Sequence, residues 1–296
     1  EVYASFCEDV LAMPVIRGRK TDKEKFSGAE ATYTIECMMH DRKALQSGTS
    51  HYFGDGFSRA FDITFTDKDN QQKYPHQTSW GLSTRIIGGI IMTHGDNSGL
   101  VLPPRIAPTQ VMVLPIAQHK PGVLGGAEEI RRRLAAVGVR VRSDVSDQSP
   151  GWKFAEYEMK GVPLRLEIGP KDMEQEQCVL VRRDNGEKRS VPLSGLEKAV
   201  SDTLDAIHGN LYAKAKRNLE ENTFEARSLS EVKAVVETKG GFAKTMWCGE
   251  EGCELRMKEE AGVTSRCIPF HQEHLGDTCP VCGKPASQMI YWGVAY

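Results

Sequence analysis

Apolar residues recur every three or four positions through Leu196, Val200, Leu204, Ile207, Leu211, Ala215 and Leu219. That repeat marks one face of a helix, so a single long amphipathic helix is predicted over 195–222, its stripe serving as core. The same spacing in Val2, Phe6, Val10 and Leu11 predicts a helix within residues 1–13. Between 31 and 67 the pattern changes to runs rich in β-branched and aromatic residues, ATYTIECMM, ALQSGTSHYFG and AFDITFTD. Short strands in succession, without long helices between them, predict an antiparallel sheet.

From 108–110 onward the pattern shifts again. VMVLPIA (111–117), VRVRSDVS and VPLRLEIG read as strands, with helices in GGAEEIRRRLAAVGV and GWKFAEYEMKG. Such alternation predicts an α/β domain with a largely parallel sheet. QCVLVRRDNGEKRSVPL reads as a hairpin turning at Asn185-Gly186 with a basic tip.

Two stretches carry candidate chemistry. HQTSWGLSTRIIGGIIMTHGDNSGLVLPPRIAP (76–108) reads as a buried strand from Ser79 to Thr84, then Arg85, then a short apolar helix from Ile86 to Met92. Small residues on a strand admit a ligand to the backbone, and an arginine where strand becomes helix suits a nucleotide. QSGTSH (46–51) sets an amide, hydroxyls and an imidazole beside a glycine. Buried hydrogen-bonding groups of that kind discriminate strongly among small polar ligands, although a histidine is as often purely structural. The charge run RGRKTDKEKFSGAE (17–30) reads as a solvated loop, with phosphate or RNA contact as the sharper alternative.

Composition narrows the class. A length of 296 residues with 40% hydrophobic and 26% charged residues is ordinary for a globular protein of two or three domains. The longest apolar run, IIGGIIM, is far short of the roughly 20 residues that span a bilayer, and the first residues lack a secretory signal pattern. A cytoplasmic location without membrane association is expected. A net charge of −2 leaves any RNA contact to local basic patches. The chain begins without methionine in what reads as a helix, and is expected to be a piece of a longer one.

Of eight cysteines, four form the pairs CGEEGC (Cys248, Cys253) and CPVC (Cys279, Cys282), separated by 25 residues. In a cytosolic chain this spacing suits a tetrahedral structural zinc site with four thiolates and no open position for a reacting water. Cys267, His271 and His274 compete as ligands, but Cys267 lies in an apolar run and reads as packing.

The strings KTDKEKFSGAEATYTIE, ALQSGTSHYFG, TSWGLSTRIIGG, MTHGDNSGLVLPPRIAPTQV and CGEEGC…CPVCGK resemble prolyl-tRNA synthetase of the archaeal and eukaryotic type, a class II aminoacyl-tRNA synthetase. The resemblance runs essentially end to end. It implies an α+β multidomain fold in three parts. Residues 1–108 would be part of an antiparallel catalytic sheet including motif 3, 109–222 an α/β anticodon-binding domain, and 223–296 an α+β zinc-bearing domain.

By that resemblance Arg85 matches the motif 3 arginine and is the expected catalytic residue; Gln46, Thr49, Thr84 and Arg85 would bind ATP. His51, Ser79, Trp80 and Gly81 would wall a proline pocket. Phe154, Glu158, Arg165, Lys171 and Asp172 would read the anticodon, since unpaired RNA is read by aromatic stacking and by charged groups at base edges. The terminal Tyr296 matches a family feature directed toward the catalytic domain. The implied activity is ATP-dependent ligation of L-proline to tRNA(Pro) through prolyl-adenylate, with Mg2+ accompanying ATP and a homodimer in the complete enzyme. Motif 1, motif 2 and the Thr-x-Glu loop have no counterpart in this sequence. The alternative is therefore a non-catalytic tRNA-binding fragment retaining the anticodon and zinc domains.

Overall fold

A computed structural model describes residues 1–296. The chain divides into two compact units. The first comprises residues 1–7, 14–93 and 216–296; the second comprises 8–13 and 94–215.

The chain opens with helix α1 (Val2–Ser5) running into a π-helical turn, Phe6–Val10. The first unit then forms strands β1 (Ile16–Arg19), β2 (Ala31–Met38) and β3 (Ala44–Gly54), and the short helix α2 (Gly56–Ala60). Next come a two-residue-strand hairpin, β4 (Phe65–Thr66) and β5 (Gln72–Lys73), strand β6 (Gln77–Gly81) and helix α3 (Arg85–His94).

Three expectations need correction here. RGRKT is not a solvated loop: residues 16–19 are strand β1, and Lys20 is buried. AFDITFTD contributes only the tip hairpin, because residues 56–60 are helical and Phe61, Ile63 and Phe65 are exposed. The strand predicted over Ser79–Thr84 ends at Gly81 and is exposed, because it is the outer strand of its sheet.

The second unit holds β7 (Val111–Pro115), α4 (Val123–Ala136), β8 (Val141–Ser143), α5 (Pro150–Met159), β9 (Leu164–Ile168), α6 (Pro170–Glu174), β10 (Gln177–Arg182) and β11 (Lys188–Pro192). Its sheet order is β11-β10-β9-β7-β8. Only the β8–β7–β9 portion is parallel; the hairpin at Asn185-Gly186 adds β10 and β11 antiparallel, so the largely parallel sheet expected is mixed. Val111, Val113, Leu164, Leu166 and Ile168 bury against Ile130 and Leu134 of α4 and Val200, Ile207 and Leu211 of the long helix α7 (Leu196–Glu221).

The remaining elements are β12 (Thr223–Glu225), α8 (Leu229–Thr238), β13 (Phe242–Trp247), α9 (Glu251–Ala261), β14 (Thr264–Pro269) and β15 (Gln288–Gly293). They have their own core of Val232, Met257, Val263, Ile290 and Trp292, yet their strands continue the first unit's sheet. The full order is β12-β13-β15-β14-β1-β2-β3-β6. The junction is antiparallel pairing of β1 with β14, Gly18 opposite Pro269. A Cβ at Gly18 would lie 2.4 Å from the Ile268 carbonyl oxygen, so only glycine lets the two strands close there. No helix is long and apolar enough to cross a membrane.

Candidate functional site

One irregularity in the first unit's sheet decides which side chains share a face. Along β2, Thr32, Thr34 and Glu36 alternate onto one face, and their partners on β3 are His51, Thr49 and Gln46. Strict alternation along β3 would put Gln46 opposite to Thr49 and His51. A bulge between Ile35 and Glu36 absorbs Ser47, whose buried hydroxyl bonds to Cys37 Sγ at 3.0 Å. The extra residue re-aims Gln46 onto the same face as Thr49 and His51.

Gln46 lies beside the start of α3. Ser83 Oγ accepts from the Arg85 backbone N–H at 3.3 Å, and Arg85 Nη1 donates to the Gln46 carbonyl at 3.4 Å. Gln46, Thr84 and Arg85, with Gly88 and Gly89 of α3, line a cavity of about 660 Å3, a size suited to a cofactor or nucleotide. Lys20, Arg266 and Tyr296 also line it. The Tyr296 hydroxyl donates to Asp41 Oδ2 at 2.5 Å, and the Lys43 ammonium lies 5.1 Å from its ring centre. Three of the four expected nucleotide residues therefore converge. Thr49 is not among the cavity's lining residues, and its hydroxyl is 3.2 Å from His51 Nε2.

His51 uses both ring nitrogens, Nδ1 at 2.9 Å from Thr32 Oγ1 and Nε2 toward Thr49. Partial burial lowers its pKa, favouring a neutral ring that donates at one nitrogen and accepts at the other. Phe26 and Phe53 stand beside it, at ring-centre distances of 5.0 and 6.0 Å. Ser79 and Gly81 of β6 pair with His51 and Thr49. Trp80, paired with Ser50, alternates to the opposite face; it is 67% exposed and 6.2 Å from the Tyr3 ring. The structure thus groups His51, Ser79 and Gly81, and leaves Trp80 on the other side. Phe26, which takes the aromatic place beside the imidazole, was hidden in the charged run and had no periodic signal to reveal it.

In the second unit the Arg165 guanidinium lies 4.1 Å from the Phe154 ring centre. Glu167 Oε1 accepts from Arg165 Nε at 3.0 Å, and its other oxygen accepts from Lys188 Nζ at 2.8 Å. Arg165 and Glu158 line a cavity of about 360 Å3 with Asp96 and the hairpin tip. That tip is not simply basic. Arg182 pairs with Asp184 at 2.7 Å and Arg183 with Asp96 at 2.6 Å, and the Arg183 guanidinium holds the Asp96 carboxyl down at about 2. Lys171 and Asp172 lie on α6, where Asp172 Oδ2 accepts from the Gly169 N–H at 2.9 Å and caps the helix.

The four clustered cysteines meet. Their Sγ atoms all lie within 4.8 Å of one another, with Cys248 3.7 Å from both Cys253 and Cys282. Tetrahedral bonds of about 2.3 Å to a central ion imply sulfur–sulfur edges of about 3.8 Å, so the thiols are spaced to hold a metal. The Lys284 backbone N–H holds the Cys282 thiol down at about 7, while burial pushes the Cys248 and Cys253 thiols up, a cost that a bound cation would offset. Cys267 is fully buried elsewhere, His271 and His274 are outside the cluster, and His274 instead meets Asp277 at 3.3 Å.

Two family models match parts of the chain. Residues 110–203 match the family described as "Anticodon binding domain", and residues 229–296 the family described as "Prolyl-tRNA synthetase, C-terminal". The chain is 61% identical over 295 residues to the "Proline--tRNA ligase" of Clostridium novyi (strain NT), covering all of this chain and 62% of that one. It is 59% identical over 295 residues to the protein of the same name from Lachnoclostridium phytofermentans, covering 61% of it. A "Proline--tRNA ligase 2" from Bacillus thuringiensis subsp. konkukian is likewise 59% identical, with 62% covered. The chain thus spans somewhat over three-fifths of the length of these curated relatives.

Proposed function

We propose that this chain, which belongs by sequence along its whole length to the prolyl-tRNA synthetases, supplies part of an adenylate site and the tRNA-reading portion of an enzyme that joins proline to tRNA(Pro). The observation that carries this reading is the convergence of Gln46, Thr84 and Arg85 on one 660 Å3 cavity.

In the first step an oxygen of the proline carboxylate attacks the α-phosphorus of ATP, the bond to the bridging oxygen breaks, and pyrophosphate leaves. The terminal ribose hydroxyl of the tRNA then attacks the acyl carbon and AMP departs. Magnesium arriving with ATP would neutralise part of the triphosphate's charge. No side chain forms a covalent bond, so positioning and electrostatics carry the acceleration. Arg85 can stack its planar guanidinium and bind phosphate together. His51, with Phe26, Ser79 and Gly81, offers a small apolar and hydrogen-bonding surface for a prolyl ring. We assign a zinc ion to Cys248, Cys253, Cys279 and Cys282 in a structural role. Residues 1–108, 109–222 and 223–296 are taken as the catalytic, anticodon-binding and zinc-bearing parts.

Because the relatives are longer, the complete reaction is assigned to a longer chain, as is a homodimer. Proline-dependent exchange of pyrophosphate into ATP, measured on the 296-residue chain, separates the two roles open to it. Exchange supports catalysis by the chain itself. Anticodon-dependent tRNA binding without exchange supports a binding module. In either role, Phe154→Ala removes the aromatic face on which Arg165 lies and should weaken tRNA(Pro) binding by about 0.5–2 kcal/mol, the value of a cation–π contact that orients the guanidinium. Equal affinity of variant and parent in a filter-binding titration would remove Phe154 from the RNA surface.

A further inference from the structure

Below the nucleotide cavity lies a buried polar network with no part yet in the reaction. Glu36 on β2 is fully buried. Its Oε1 accepts from Lys20 Nζ at 2.8 Å and from the Thr34 hydroxyl at 2.8 Å. Its Oε2 accepts from Arg266 Nε at 3.0 Å and Nη2 at 2.8 Å. Lys20 follows β1 and Arg266 is on β14, so one carboxylate ties together strands 246 residues apart, and Lys20 Nζ also donates to the Arg266 carbonyl at 2.8 Å. A second buried carboxylate fixes the same junction from the next residues along: Glu254 Oε1 accepts from Thr21 Oγ1 at 2.9 Å and Ser265 Oγ at 2.5 Å.

Burying charges is costly unless they are paired and hydrogen-bonded, and replacing such a pair with apolar residues is often as stable. Stability alone therefore does not account for two carboxylates and two cations at one strand junction. Both cations line the cavity that Gln46, Thr84 and Arg85 enter. An ammonium has three donors and a guanidinium five. Lys20 directs two of its three into the network, and Arg266 directs three of its five to Glu36 and Thr264. Each keeps a donor for a ligand. With Arg85 the lining side chains carry three cations against Glu24, and with Glu36 counted behind them the cations still outnumber the side-chain carboxylates, three to two.

We propose that Glu36 is a positioning residue that holds Lys20 and Arg266 as a cationic floor for the phosphates of the bound nucleotide. The inference rests on the reading of this cavity as the ATP site. It also gives the C-terminal segment a direct share in that site, since Arg266 comes from β14.

Charge and position make opposite predictions here. Glu36→Gln makes the site more positive, so a purely coulombic role would tighten ATP; a positioning role loosens it. Calorimetric titration of the 296-residue chain with ATP and with adenosine distinguishes them. Glu36→Gln should weaken ATP about tenfold or more, the loss of an aligned charged hydrogen bond, and leave adenosine within about twofold. Glu36→Asp, which keeps the charge but draws it back from Lys20 and Arg266, carries the same expectation and the test if Glu36→Gln does not fold. Tighter ATP binding in Glu36→Gln, or a parallel loss of ATP and adenosine in either variant, overturns the positioning role while the cavity remains a nucleotide site. Failure of the parent chain to bind either ligand overturns the cavity reading, and this inference with it.

Discussion

Stripping metal from the four-cysteine cluster is expected to cost the fold more than any single substitution outside it. A preformed set of thiolates scarcely exists in an unfolded chain, so the free energy of binding is folding free energy, about 10–16 kcal/mol in isolated zinc-finger peptides near neutral pH. Here the cluster is embedded. Cys253 and Cys279 are themselves members of the core that contains Trp247, Val232 and Met257, so the loss is expected to be smaller than in an isolated finger. The cluster joins the start of α9 to the 279–282 turn, segments otherwise held by few backbone bonds, such as Gly283 N–H to the Cys279 carbonyl at 2.9 Å. Metal analysis should return about one zinc per chain. Chelation or Cys253→Ser should lower the melting temperature and expose backbone amides of α9 to hydrogen exchange. A metal-free chain with unchanged melting and unchanged exchange would end the assignment.

The elements read most securely in the sequence were those whose pattern answers to a single period. Helix α7 runs from Leu196 to Glu221 against a predicted 195–222, because its apolar stripe meets one core along most of its length. Strands β2 and β3 follow the strings ATYTIECMM and ALQSGTSHYFG. The cysteine cluster was equally legible, since paired spacing beside turns constrains geometry before any tertiary contact is known.

What escaped depends on partners far along the chain. Lys20 lies in a run whose composition says solvent; its burial is decided by Glu36 and by Arg266, 246 residues away. The bulge at Ser47 has no local signature, yet it determines that Gln46 faces with His51. Trp80 fails to join the His51 group for the complementary reason: β3 and β6 pair without a shift at that point, and alternation sends it to the far face. AFDITFTD has the composition of a strand but no neighbouring strand to complete its ladder beyond Phe65–Thr66 and Gln72–Lys73. A resemblance could nominate Gln46 and Trp80 together. Only register separates them.

Arg85→Ala should abolish most of the activity of a chain extended to the full length of its relatives. The guanidinium sits at the first residue of α3, exposed at the cavity and held only loosely, by a 3.4 Å bond to the Gln46 carbonyl. Because so little of the fold depends on it, the substitution should alter stability by no more than about 0.5 kcal/mol, as for other surface positions. Its loss should fall on the reaction. Donors aimed at charge that develops in a transition state are worth about 100- to 1000-fold in rate when one is removed, and proline-dependent pyrophosphate exchange should fall by that factor. Arg85→Lys separates charge from shape: the ammonium keeps the positive charge but not the planar fork that can stack and bind two oxygens, so exchange should recover only in part. Full recovery in Arg85→Lys would reduce the residue to a point charge. Near-parental exchange in Arg85→Ala, with the protein folded, would remove it from the adenylate site altogether.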